Sequence, residues 1–103
     1  MPRYLVINGP HLDRLGRREP EIYGSTTLAE LERDLKQYAT RLSIEASTTQ
    51  SNREAEIVEA VTGAEGAFDG IVLNPGALTH YSRTLGDAVA AISTPVVEVH
   101  ISN

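Results

Sequence analysis

Two arginines and a tyrosine share one polar stretch: Arg17 and Arg18 precede Tyr23 within the segment Gly16–Gly24. A cation beside a phenol stabilises the phenolate, so an Arg18–Tyr23 contact would make Tyr23 a general base. The plainer alternative is a packing tyrosine with a wet hydroxyl, beside arginines that are solvated or clamp an anion. A second candidate lies near the end of the chain, where Glu98 precedes His100 by two residues. On a strand that spacing puts both side chains on one face. A carboxylate there favours the protonated imidazole, which suits a general acid. His80 and His100 could equally be structural histidines, or metal ligands with Glu98, although no ligand spacing supports a metal site. Asn8 and Asn74 complete the set. Each precedes Gly or Pro-Gly, so each is either a turn asparagine or one of a matched pair of ligand-holding amides.

These residues need elements to hold them. Tyr4–Asn8 is an apolar, β-branched run stopped by Gly9-Pro10, which predicts a buried strand. A polar, arginine-rich stretch from His11 to Gly24 follows, with neither helical nor strand periodicity. Loops of that length are uncommon in small domains and are often functional. Thr27 with Glu30 forms a capping box, and Leu28, Leu31, Leu35, Tyr38 and Leu42 recur at helical spacing. Ser43–Thr49 alternates as a strand, and Ser51 with Glu54 is a possible second capping box ahead of Ile57, Val58 and Val61. Gly70–Asn74 predicts a third strand, about Arg83 to Ile92 a helix, and Pro95–His100 a fourth strand. Strictly alternating strands and helices imply a parallel sheet with right-handed crossovers covering both faces. The expected fold is therefore a flavodoxin-like, doubly wound α/β sheet rather than an antiparallel α+β arrangement. In such sheets ligands bind beyond the carboxyl ends of the strands, at the point where strand order reverses. That rule gathers Asn8, Asn74 and His100 with the loops that follow them.

Composition narrows the partners. The 103 residues suit one domain, here taken as 1–103, and 41% hydrophobic with 22% charged residues is globular in balance. There is no cysteine, so disulfides, thiolate zinc sites and cysteine nucleophiles are excluded. A net charge of −5 argues against nucleic acid, which needs a basic face. No apolar run reaches the roughly 20 residues of a membrane span, and Met1–Asn8 is too short and too soon charged for a signal peptide. The expectation is a cytoplasmic protein without membrane or nucleic-acid partners. No GxGxxG, GxxxxGK[ST] or GxSxG is present. The single lysine, Lys36, lies mid-helix among polar neighbours and suits no Schiff base.

The motifs, taken in order, resemble the N-terminal two-thirds or more of the type II 3-dehydroquinate dehydratases. The resemblance runs through Asn8-Gly9-Pro10, Leu15–Gly24, Gln50-Ser51-Asn52, Asn74–His80 and Glu98–Asn103. It implies a flavodoxin-like fold, here without its last βα unit, and a homo-oligomer of trimers in a dodecamer. It also implies dehydration of 3-dehydroquinate to 3-dehydroshikimate in the shikimate pathway of aromatic amino-acid biosynthesis, with neither metal nor organic cofactor. On that resemblance Tyr23 is the base, Arg18 its activator on a lid, and His100 the acid supported by Glu98. Asn74 and His80 would hold ring hydroxyls, and the backbone N–H groups of Ile101 and Ser102 the carboxylate.

The chain also departs from the family pattern. His11 and Asp13 stand where the family commonly has asparagines, the first of which helps stabilise an enolate. Gly86 replaces an arginine before Asp87, whose counterpart reaches a neighbouring subunit's site. Relatives continue past the serine-asparagine with an arginine-containing segment, and with His11 this makes the alternative expectation a truncated, non-catalytic relative that binds shikimate-like acids or serves only in assembly.

Overall fold

The run Tyr4-Leu5-Val6-Ile7 is β-branched and apolar on both sides of the strand, a pattern suited to a strand covered on both faces. In a computed structural model, which describes residues 1–16, 25–78 and 82–100, it forms β1 (Arg3–Asn8) at the centre of the sheet. The other described strands are β2 (Glu45–Gln50), β3 (Gly70–Asn74) and β4 (Val96–Glu98). The order is β2-β1-β3-β4 and every pairing is parallel. The chain steps from β1 to β2 on one side, then crosses back over β1 to β3. Right-handed crossovers in opposite directions put their helices on opposite faces. The helix between β1 and β2, α1 (Leu28–Arg41), therefore covers one face. The other face carries α2 (Glu54–Gly63) and α3 (Arg83–Ala91). This is the flavodoxin-like, doubly wound arrangement read from the alternation of elements.

The main core lies beneath α2 and α3. Leu5 and Ile7 of β1 and Ile71 and Leu73 of β3 meet Ile57 and Val61 of α2 and Leu85 of α3. These side chains alternate along each strand, so one face of the sheet supplies all four strand residues. The α1 face is thinner. Among its own residues only Ala39 is buried, and Tyr38 remains 55% exposed although its spacing matches the apolar stripe. Leu42, at the end of that stripe, is exposed as well.

Local chemistry explains where the helices begin. Thr27 caps α1 with the complete reciprocal box: its Oγ1 accepts from the Glu30 N–H, and Glu30 Oε1 accepts from the Thr27 N–H. The Ser82 hydroxyl accepts from the Leu85 N–H at 2.9 Å and opens α3. The expected box at Ser51 is not made. Instead α2 begins two residues later than that box would place it, with Arg53 as its N-cap. Ser51 Oγ accepts from the Arg53 N–H at 3.0 Å and donates to Glu56 at 2.7 Å. It thus shapes the turn leading into the helix rather than capping it. Two further differences are modest. The polar stretch after β1 contains a 3-10 turn, Leu12–Arg14, too short to leave a periodic signature. The fourth strand is shorter than its apolar run, but flanking hydrogen bonds continue its pairing with β3: Ile71 N–H to Pro95 O and Val99 N–H to Leu73 O.

Candidate functional site

The point of strand reversal lies at β1, and the residues there are carboxamides. Register pairs Asn8 with Gln50 on one side and with Asn74 on the other. Three neighbouring parallel strands, about 4.8 Å apart, therefore end in one row: Gln50, Asn8, Asn74. Asn8 and Asn74 are 3% and 6% exposed, the two buried polar residues of the described chain. The Asn8 Nδ2 finds no hydrogen-bond partner among the described residues. A buried amide donor left unpaired costs about 1–3 kcal/mol, which is the kind of cost a ligand or a water can offset.

The loops beyond this row are knitted together. The Gly9 N–H donates to Asn74 O at 2.8 Å, and the Ser51 N–H to Asn8 O at 3.1 Å. A Cβ on Gly9 would lie 2.6 Å from Pro75 O, so the first and third loops touch backbone to backbone only because residue 9 is glycine. Gln50 Nε2 donates to Gly9 O, and Asn52 Oδ1 accepts from the His11 N–H at 2.8 Å. His11 itself has φ 70° and ψ 0°, in the left-handed region, and its side chain is exposed. Asp13 is exposed on the 3-10 turn that follows.

Glu98 and His100 are brought together as their spacing suggested. His100 Nε2 lies 3.3 Å from Glu98 Oε1, both side chains about half exposed. Glu98 pairs in register with Leu73, one residue before Asn74. The pair thus stands at the same carboxyl edge as the carboxamide row. Asp87 lies elsewhere, exposed midway along α3. Arg18, Tyr23, His80, Ile101 and Ser102 lie outside the described residues. The chain on either side of residues 17–24 is nonetheless closed at its base. Gly16 has φ +84°, and a Cβ there would lie 2.7 Å from Ser25 O. Among the described residues no group of three or more His, Asp or Glu side chains is arranged to hold a metal ion.

Gln50 and Asn52 were the residues whose part was not apparent beforehand. Within the motif Gln50-Ser51-Asn52 they read only as polar residues at the end of a strand. Their placement follows from register, because Gln50 is level with Asn8, 42 residues earlier in sequence. The available signal was that β1, β2 and β3 all end in an amide.

Known proteins share this sequence and architecture. The family model for class II dehydroquinases matches residues 2–103. The 3-dehydroquinate dehydratase of Bacillus pumilus is 57% identical over the whole chain, which spans 70% of that relative's length. The crystal structure of a type II dehydroquinase from Butyrivibrio crossotus superposes with a TM-score of 0.95 at 44% identity, over 99% of this chain and 72% of that one. The type II dehydroquinase from Propionibacterium acnes also gives 0.95, at 39% identity, over 100% and 71%. Sequence, strand order and the motif-bearing strand ends agree, and the chain belongs to the class II dehydroquinase family.

Proposed function

We propose that this chain dehydrates 3-dehydroquinate to 3-dehydroshikimate through an enolate. Tyr23 removes the proton from the carbon next to the ketone, with Arg18 stabilising its phenolate. The electron pair of the broken C–H bond moves to the ketone oxygen. The enolate formed there is met by a hydrogen bond from the His11 position. As the enolate collapses, the C–O bond β to the ketone breaks. His100 delivers a proton to the departing hydroxyl, and one water leaves. Glu98 orients the His100 ring and balances its charge. Asn74 and His80 hold ring hydroxyls, and the N–H groups of Ile101 and Ser102 hold the carboxylate. This β-elimination needs a base and an acid on separate elements and proceeds without metal or organic cofactor.

The observation that carries the reading is the convergence at one sheet edge. Buried Asn74 and the 3.3 Å Glu98–His100 pair stand at the carboxyl ends of adjacent strands, beside the reversal point. The test is the ultraviolet absorbance of the conjugated enone formed from 3-dehydroquinate. Tyr23→Phe should lower kcat by about 10²–10⁴-fold, the usual worth of a general base, with KM nearly unchanged. Absence of product at high concentrations of a protein shown to be folded would leave the non-catalytic, acid-binding reading in its place.

The same reading extends to the setting. Residues 1–103 form one domain of a cytoplasmic enzyme of aromatic amino-acid biosynthesis. Among the described residues no helix is long and apolar enough to cross a membrane. The chains associate into trimers within a dodecamer, and exposed Asp87 on α3 is presented to a neighbouring site. Sedimentation velocity reads the oligomer directly; a monomer at micromolar concentration would refute this part alone.

A further inference from the structure

The loop after β1 carries His11 in a backbone conformation that non-glycine residues seldom adopt, although histidine is among those that tolerate it best. Among the described residues no side chain holds the His11 imidazole, so what fixes the position from which it projects is the backbone. On the β2 side that backbone lacks a strand to pair with, because β2 ends at Gln50, level with Asn8. Pro10 adds no N–H of its own. Two side chains, one from the last residue of β2 and one from just beyond it, supply bonds on that side. Gln50 Nε2 donates both to Gly9 O and to Asn52 Oδ1, each at 3.1 Å. Asn52 Oδ1 also accepts from the His11 N–H at 2.8 Å. Both hydrogens of one amide and both lone pairs of one carbonyl are thereby used. The relay grips the loop on either side of Pro10.

We infer that Gln50 and Asn52 are positioning residues that set His11 for the reaction by fixing the backbone of residues 9–11. The relay reaches the rest of the site as well, since the Gly9 N–H is bonded to Asn74 O. A shift of Gly9 therefore moves His11 relative to Asn74. Positional errors of about 1 Å at a reacting centre can cost up to a hundredfold in rate. Orienting bonds made by half-buried Gln50 and exposed Asn52 can matter this much even though they contribute little to global stability. The inference rests on the dehydratase reading, in which the His11 position faces the enolate.

Three substitutions separate the chemistry of the relay. Asn52→Leu removes the acceptor, whereas Asn52→Asp keeps an oxygen facing the His11 N–H. Gln50→Glu replaces a double donor with an acceptor facing two carbonyl oxygens. Asn52→Leu and Gln50→Glu should each lower kcat about tenfold with KM within about twofold, while Asn52→Asp stays close to the parent. In a His11→Ala background Asn52→Leu should cost little more, because the residue it positions is gone. Unchanged kcat in Asn52→Leu, or a full additive loss in the His11→Ala background, would overturn the inference. If the parent chain shows no turnover, the dehydratase reading fails separately. The anchoring is then decided by the His11 amide in ¹⁵N-labelled protein, read against core amides such as Ile7. Faster exchange in Asn52→Leu but not in Asn52→Asp upholds it; equal protection in all three refutes it.

Discussion

β1 and β4 are built from similar residues and end in different states. Tyr4-Leu5-Val6-Ile7 and Pro95-Val96-Val97 would both pass as buried strands. In β1 the residues from Leu5 to Asn8 are all buried, and Ile7 is 0% exposed. In β4 Val97 is 61% exposed. β1 has a strand on each side and a helix on each face, whereas β4 pairs only with β3 among the described strands. Burial is thus a property of position in the sheet, and an apolar run only permits it. The difference serves the site. A central strand held on four sides is a rigid base for Asn8 and the Gly9–His11 loop. The edge strand places Glu98 and His100 where both are half open to solvent.

The contrast can be broken at its strong end. Ile7→Ala should destabilise the protein by about 2–5 kcal/mol, through lost burial and the cavity left behind; urea unfolding measures this. A loss below about 1 kcal/mol would mean that β1 is not the fixed centre it is taken to be. Gly9→Ala comes next, at about 1–3 kcal/mol, because the added methyl meets the Pro75 carbonyl and forces the first and third loops apart. Here kcat should fall more than stability, since the loops carry His11 and Asn74. Thr27→Ala should cost about 1 kcal/mol by removing half of the capping box of α1, visible as a lower Tm with unchanged kcat. Smallest is Val97→Thr, expected within about 0.5 kcal/mol because this side chain faces solvent. A loss as large as that of Ile7→Ala would show that β4 is covered in solution and would erase the contrast between the strands.

Much of this was legible from local patterns. Thr27 and Glu30 are three residues apart and meet within one helical turn, so the start of α1 could be read directly. The spacing of Glu98 and His100 suggested one strand face; His100 falls just past the end of β4, yet the two side chains still lie 3.3 Å apart. Ser51 shows the limit of the same logic. Its spacing to Glu54 permits a cap, but its hydroxyl is taken by the Arg53 N–H and the Glu56 carboxylate, and α2 begins later. Tyr38 shows another limit: periodicity marks the stripe it belongs to, but the residues packed around it decide how deeply it is buried.

The sequence by itself determined the alternation of strands and helices, the polar residues at the strand ends and the family motifs. Those features depend on contacts within a turn or on alternation along a strand. Only the tertiary structure decided that Gln50, Asn8 and Asn74 form one row, and that Asn52 holds the His11 N–H. The physical reason is the crossover. Parallel neighbours must be joined by a helix, so residues that meet at the sheet edge lie tens of positions apart in the chain. Register and packing bring them together, and neither is written in the spacing of the residues concerned.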